Sequence, residues 1–92
     1  MRLTFRVHAV LRMAQRDISF DDVEAAIAAD DMIAEYPDDK PYPSKLLLGK
    51  SGRRPIHVVV AENATEDEII VITVYEPDVP LWETGFRRRR PQ

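Results

Sequence analysis

The sequence predicts an α+β domain: two N-terminal helices followed by an antiparallel sheet of three to four strands, with both helices on one sheet face. Three observations predict it. Up to Asp30 the apolar residues recur at three- and four-residue intervals, the period of a helix surface. From Ser44 to Tyr75 the chain instead alternates in runs of β-branched residues separated by turn formers. Finally, 92 residues, 45% of them hydrophobic and 32% charged, suit one small core and are too few for two.

The first helix is placed from Thr4 or Phe5 to Arg16, with Val7, Val10, Leu11 and Ala14 as its apolar stripe and His8, Arg12 and Arg16 as a column beside it. Asp17-Ile18-Ser19 breaks it. Ser19 is a good N-cap for a second helix reaching Asp30, with Asp22 as capping-box partner and Ile18 and Val23 spaced for a hydrophobic staple. Phe20, Val23 and Ile27 form its expected apolar face. Met32 to Tyr36 reads as a last turn or a short edge strand. Three prolines between Pro37 and Pro43 then impose a loop.

Ser44 to Gly49 reads as a strand and Ser51 to Arg54 as a hairpin turn. The strand Pro55 to Ala61 sets Ile56, Val58 and Val60 on one face and His57, Val59 and Ala61 on the other. Glu68 to Tyr75 is apolar on both faces, Ile69, Val71, Thr73 and Tyr75 against Ile70, Ile72 and Val74, which marks an interior strand. Pro77 and Pro80 end the regular pattern. Residues 1–86 therefore form the domain, and residues 87–92 read as a flexible basic tail.

The net charge of −3 hides a segregation along the chain. Residues 1–16 hold four arginines and no acid, and Asp17 to Asp39 hold nine carboxylates and no base. The basic blocks could gather on one face or neutralise their acidic neighbours. The absence of cysteine excludes disulfides and thiolate metal sites and agrees with a reducing compartment. Without a long apolar run or a signal-type N-terminus, the expected location is the cytoplasm, with no membrane partner. No Gly-rich phosphate loop, nucleophile elbow or EF-hand spacing is present, so no cofactor and no metal are expected.

Two histidines and the arginines remain. Histidine titrates near neutrality and suits general acid–base work, and arginine matches phosphate oxygens in two-point contacts. His57 interrupts an inner strand, where its desolvation demands a partner; a hydrogen bond to Thr73 or Tyr75 is the structural alternative to a catalytic role. His8 is equally well explained as a border residue. Arg12 and Arg16 are expected to pair with Asp17, Asp21 or Asp22, and Arg53 and Arg54 to be solvated at the hairpin tip.

The ordered set His8-Ala9-x-x-Arg12-Met13, Arg16-x-Ile18-Ser19, Tyr36 to Ser44, Pro55 to Val59 and Ile72 to Pro77 resembles the bacterial domain-of-unknown-function family 4258. That family is similar in turn to small toxin-like ribonucleases of the RelE and barnase type. The resemblance implies metal-independent cleavage of single-stranded RNA through attack of a 2′-hydroxyl. It maps the family's characteristic residues onto His8, Arg12, Arg16, His57, Thr73 and Tyr75. On a toxin-like reading His8, His57 and Arg12 are catalytic, and Arg16, Arg53, Thr73 and Tyr75 bind the RNA. The other reading is a non-catalytic domain of the same fold that binds a protein, either an antitoxin-like partner or a second copy. Whether His8 and His57 converge on one cleft separates the two.

Overall fold

A computed structural model describes residues 1–91. The chain is α+β as expected, but it opens on a strand. β1 (Arg2–Phe5) precedes α1 (Val7–Arg16) and α2 (Phe20–Ala29), followed by β2 (Met32–Tyr36), β3 (Ser44–Ser51), β4 (Arg54–Asn63) and β5 (Glu68–Tyr75). The strands form one five-stranded sheet in the order β1-β5-β4-β3-β2. β2 to β5 pair antiparallel, while β1 runs parallel to β5 from Arg2↔Glu68 to Phe5↔Val71. The expected purely antiparallel sheet of three to four strands is therefore corrected to a mixed sheet of five. A four-residue strand offers too short an alternation to compete with the helical pattern that follows it. Leu3 and Phe5 turn toward the core, and Thr4 and Arg2 bind Glu68 at 2.6 and 3.2 Å.

α1 stops at Asp17, whose left-handed backbone (φ 54°) lets its own amide and that of Ile18 close on the carbonyls of Ala14 and Met13. α2 begins with the expected capping box: Ser19 Oγ accepts from the Asp22 amide, and the Asp22 carboxylate accepts from the Ser19 amide. Both helices lie on one face of the sheet. There Ala9 and Met13 of α1, and Val23 and Ala26 of α2, meet Leu47, Ile56, Val58, Val60, Val71 and Val74.

The face of α1 differs from the expected one, while on α2 Val23 and Ile27 pack inward as expected and Phe20 does not. Val7, Val10, Leu11 and Ala14 are exposed, Val7 by 75% and Leu11 by 57%, and Phe20 is 51% exposed with its ring edge-on to Phe5. α2 rides close to the strands at Ala26. An added Cβ on Gly49 of β3 would fall 2.5 Å from the Ala26 Cβ, so this glycine is a close-approach position rather than a turn residue. β4 keeps the expected division of faces, Ile56, Val58 and Val60 toward the helices. β5 is interior as expected, yet a bulge changes its alternation. Val59 pairs with Thr73 and Val60 with Val71, which leaves Ile72 as the extra residue. Ile69, Val71 and Val74 thus face the helices, while Ile70, Thr73 and Tyr75 face away with their partners on β4.

The Gly49–Ala26 contact makes a sharp test. Gly49→Ala should destabilise the domain by about 1–3 kcal/mol through overpacking, lowering Tm by roughly 4–8 °C per kcal/mol. Leu11→Ala should stay within about 0.5 kcal/mol of the parent protein. Thermal melts of the two variants check both, and the reverse ranking would reject this seating of the helices.

Candidate functional site

The sheet face turned away from the helices holds the chain's buried polar cluster. Because β4 alternates, His57 points to the side opposite Ile56 and Val58, and its pairing with Tyr75 sets the two rings side by side. His57 is 0% exposed. Its Nε2 lies 2.9 Å from the Phe86 carbonyl oxygen and its Nδ1 3.3 Å from the Tyr75 hydroxyl. A carbonyl can only accept, so Nε2 carries the proton and donates to Phe86, and Nδ1 accepts from the Tyr75 O–H. Trp82 closes the cluster with its ring edge-to-face on the imidazole at 4.4 Å. Burial pushes the His57 pKa below the ordinary value, against a smaller upward pull from the bond to Phe86. Burial also raises the Tyr75 pKa, so Tyr75 remains a neutral donor.

The third member of this cluster comes from the C-terminal segment. A short 3₁₀ turn (Val79–Leu81) leads to Trp82, which bridges Arg89; the Glu83 amide donates to the Arg88 carbonyl and the Arg90 amide to the Leu81 carbonyl, each at 2.8 Å. Gly85 and Phe86, with φ of 93° and 61°, reverse the chain between them. Arg87 donates two hydrogen bonds to the Asp31 carboxylate at 2.7 and 2.8 Å, which lowers the Asp31 pKa. Arg89 stands 5.8 Å from the Trp82 ring centre. The segment read as a flexible basic tail is thus folded back through residue 90 as a strap across the sheet, with Arg87 held by Asp31 and Arg89 set beside Trp82. Gln92, the last residue of that tail, lies outside the described residues.

His8, Arg12 and Arg16 are all exposed on α1, on the helix-covered side of the sheet. The two imidazoles therefore lie on opposite sides, and His8 and His57 share no cleft. Arg12 does not join His57 either. Among the described residues, the side chains of Arg12 and Arg16 form no ion pair. The acids expected to hold them are engaged elsewhere or stand free: Asp22 accepts from Ser51 at 2.6 Å, which is the main reason its pKa is lowered. Arg53 is exposed at the hairpin tip, beside Lys50 and the cleft that Phe86 borders. Thr73 and Tyr75 are half-buried on the far face with His57. Of the seven expected site residues, only His57, Thr73 and Tyr75 are neighbours, and the imidazole among them is sealed.

Arg54, read from sequence as a solvated tip residue, is a structural hub. It donates to the carbonyls of Arg16 and Asp17 at 2.7 Å each, to Ser51 Oγ at 3.0 Å, and to Glu76 at 3.0 Å. A cation on the last carbonyls of α1 complements the helix dipole and ties α1 to the hairpin and to the exit of β5. Its position next to Arg53 in a turn gave no sign of this. Among the described residues no cluster of three or more His, Asp or Glu side chains could hold a metal ion. Nor is any helix among them long and apolar enough to cross a membrane.

Comparison with known proteins identifies one family, Domain of unknown function (DUF4258), which matches residues 5–76. No curated protein and no solved structure matches the chain. The matched span takes in both helices and strands β2 to β5, and it ends before the strap.

The state of His57 has a measurable consequence. Its folded pKa lies below the unfolded value of about 6.5, so the unfolded chain binds the proton more readily. The His57 contribution to stability is then complete above about pH 6.5 and declines as the pH falls toward the depressed folded value. An NMR titration should show the His57 ring resonances moving with a midpoint below about 6.5. A midpoint at or above that value would mean that the imidazole is not sealed by the strap.

Proposed function

The chain belongs to the DUF4258 family, and from that premise we propose that it is a non-catalytic interaction domain built on a toxin-like fold, with a protein as its partner. One observation carries this: the imidazole of His57 has both nitrogens occupied inside the protein and stands on the opposite side of the sheet from His8. Acid–base cleavage of a phosphodiester requires groups within about 2.6–3.2 Å of the protons they move, on one substrate in one cleft. An imidazole fully covered and with both nitrogens already engaged has no free lone pair to offer a substrate. The exposed group, His8, shares its helix with no carboxylate and no second imidazole.

Kinship with RelE-type and barnase-like ribonucleases is part of the same proposal. It is supported by the layout, two helices covering one face of the β3–β4–β5 meander. A cytoplasmic location belongs to it as well, supported by the absence of cysteine.

The test is direct. Purified protein incubated with a fluorescent single-stranded RNA in EDTA should yield no 2′,3′-cyclic phosphate product above that of a His8→Ala/Arg12→Ala double variant. Both positions are exposed, so the double variant keeps the fold. Cleavage by the parent protein that is lost in the double variant would overturn the non-catalytic reading.

A further inference from the structure

The strap rests on a titratable group. His57 is fully buried, and the strap meets it twice: Nε2 donates to the Phe86 carbonyl at 2.9 Å, and the Trp82 ring stands edge-to-face at 4.4 Å. Leu48, its pairing partner on β3, and Tyr75 on β5 complete the surroundings of the ring. The acids of the region are committed elsewhere or make no bond to it. Arg87 holds Asp31, Arg54 holds Glu76, Asp78 is exposed, and Glu83 forms no ion pair among the described residues. On β2 the Tyr36 phenol acts on Tyr75. The remaining charges of this region are cations: Lys50 and Arg53 line the cleft that Phe86 borders, and Arg89 stands 5.8 Å from the Trp82 ring centre.

We propose that the strap is an acid-released cover: protonation of His57 lifts it off the sheet and hydrates the imidazole, while the helices and the five strands stay folded. The Tyr75 hydroxyl can turn from donor to acceptor, so a doubly protonated ring keeps its hydrogen bonds. What it cannot keep is its burial. A buried cation with no carboxylate against it is costly, and water reaches this one once the strap moves. The strap is also lightly fastened. It leaves β5 through Pro77 and Pro80, and its return arm is held by one half-exposed ion pair, Arg87 with Asp31. Phe86 holds a φ of 61°, an uncommon conformation for a bulky residue that opening relieves. Burial lowers the His57 pKa while the strap is down, and a hydrated imidazole returns to about 6.5. The closed form therefore binds the proton less readily than the open one, and acid favours opening. Asp31 keeps its charge as His57 titrates, because Arg87 holds its carboxyl below the usual carboxylate range. Opening bares Trp82 with Leu46, which line one groove, and Leu48 beside Phe86. It leaves the non-catalytic reading untouched, since His8 stays on the other side of the sheet in either state.

Trp82 is the one tryptophan of the chain and reports on the strap directly. As the intact protein is acidified from neutral pH, its emission should move to longer wavelength with a midpoint below about 6.5. Over the same range the far-ultraviolet circular dichroism and the amide signals of α1 and α2 in a ¹⁵N spectrum should stay native. His57→Gln keeps a neutral donor and removes the titration, so its emission should hold constant. Arg87→Ala alters an exposed position and tests the same point independently. By loosening the closed form it should raise the midpoint toward about 6.5. Constant emission in the parent protein, or helix signals lost at the same midpoint, would overturn the proposal. So would a His57→Gln protein that shifts as the parent does, or an Arg87→Ala midpoint at or below the parent's.

Discussion

Everything in this molecule is sorted by the pleat of β4. A strand alternates its side chains between two faces, and β4 is paired along its length with β3 and β5. Ile56, Val58 and Val60 thus define the helix side, and His57, Val59 and Ala61 the other. A shift of one residue would move the imidazole into the aliphatic layer and three branched side chains under the strap. The pleat also decides the chemistry: an imidazole committed to the far face by its two neighbours cannot meet a histidine on a helix that covers the near one.

On the near face the governing quantity is distance. Ala26 against Gly49 allows α2 to sit close to the strands. α1 turns Ala9 and Met13 to the sheet and leaves Val7, Val10 and Leu11 on its outer surface. On the far face the strap supplies what β4 and β5 lack, namely a carbonyl for Nε2 and an indole to cover the ring. Arg54 and Arg87 fasten the two layers at separate points, one at the end of α1 and one at the start of β2.

Much of this was legible in the residues. The capping box at Ser19, the prolines of the loop, the hairpin at Gly52 and the two faces of β4 follow from local chemistry, and they appear where that chemistry places them. That His57 needs a partner, Thr73 or Tyr75, was legible too, because a polar group in an apolar strand must be satisfied; the partner is Tyr75. What escaped notice depended on distant parts of the chain. The inward face of α1 was misread because Ala9 and Met13 make a weaker hydrophobic pattern than the four residues that ended outside. β1 is defined by β5, 64 residues away at the Thr4–Glu68 bond. The second bond of His57 goes to a backbone carbonyl, which no side-chain pattern can announce.

That distant pairing of β1 gives the chain a order of assembly. β3, β4 and β5 are joined by short turns and can zip as neighbours, whereas the parallel β1–β5 ladder closes a loop spanning both helices and three strands. Loop closure over such a span is entropically expensive before any contact rewards it. The meander is therefore the platform and β1 the latch. Until the latch engages, the edge of β5 is an open template with Ile69, Ile70 and Val71 along it. Once β1 is paired there, that edge of β5 is closed against other chains.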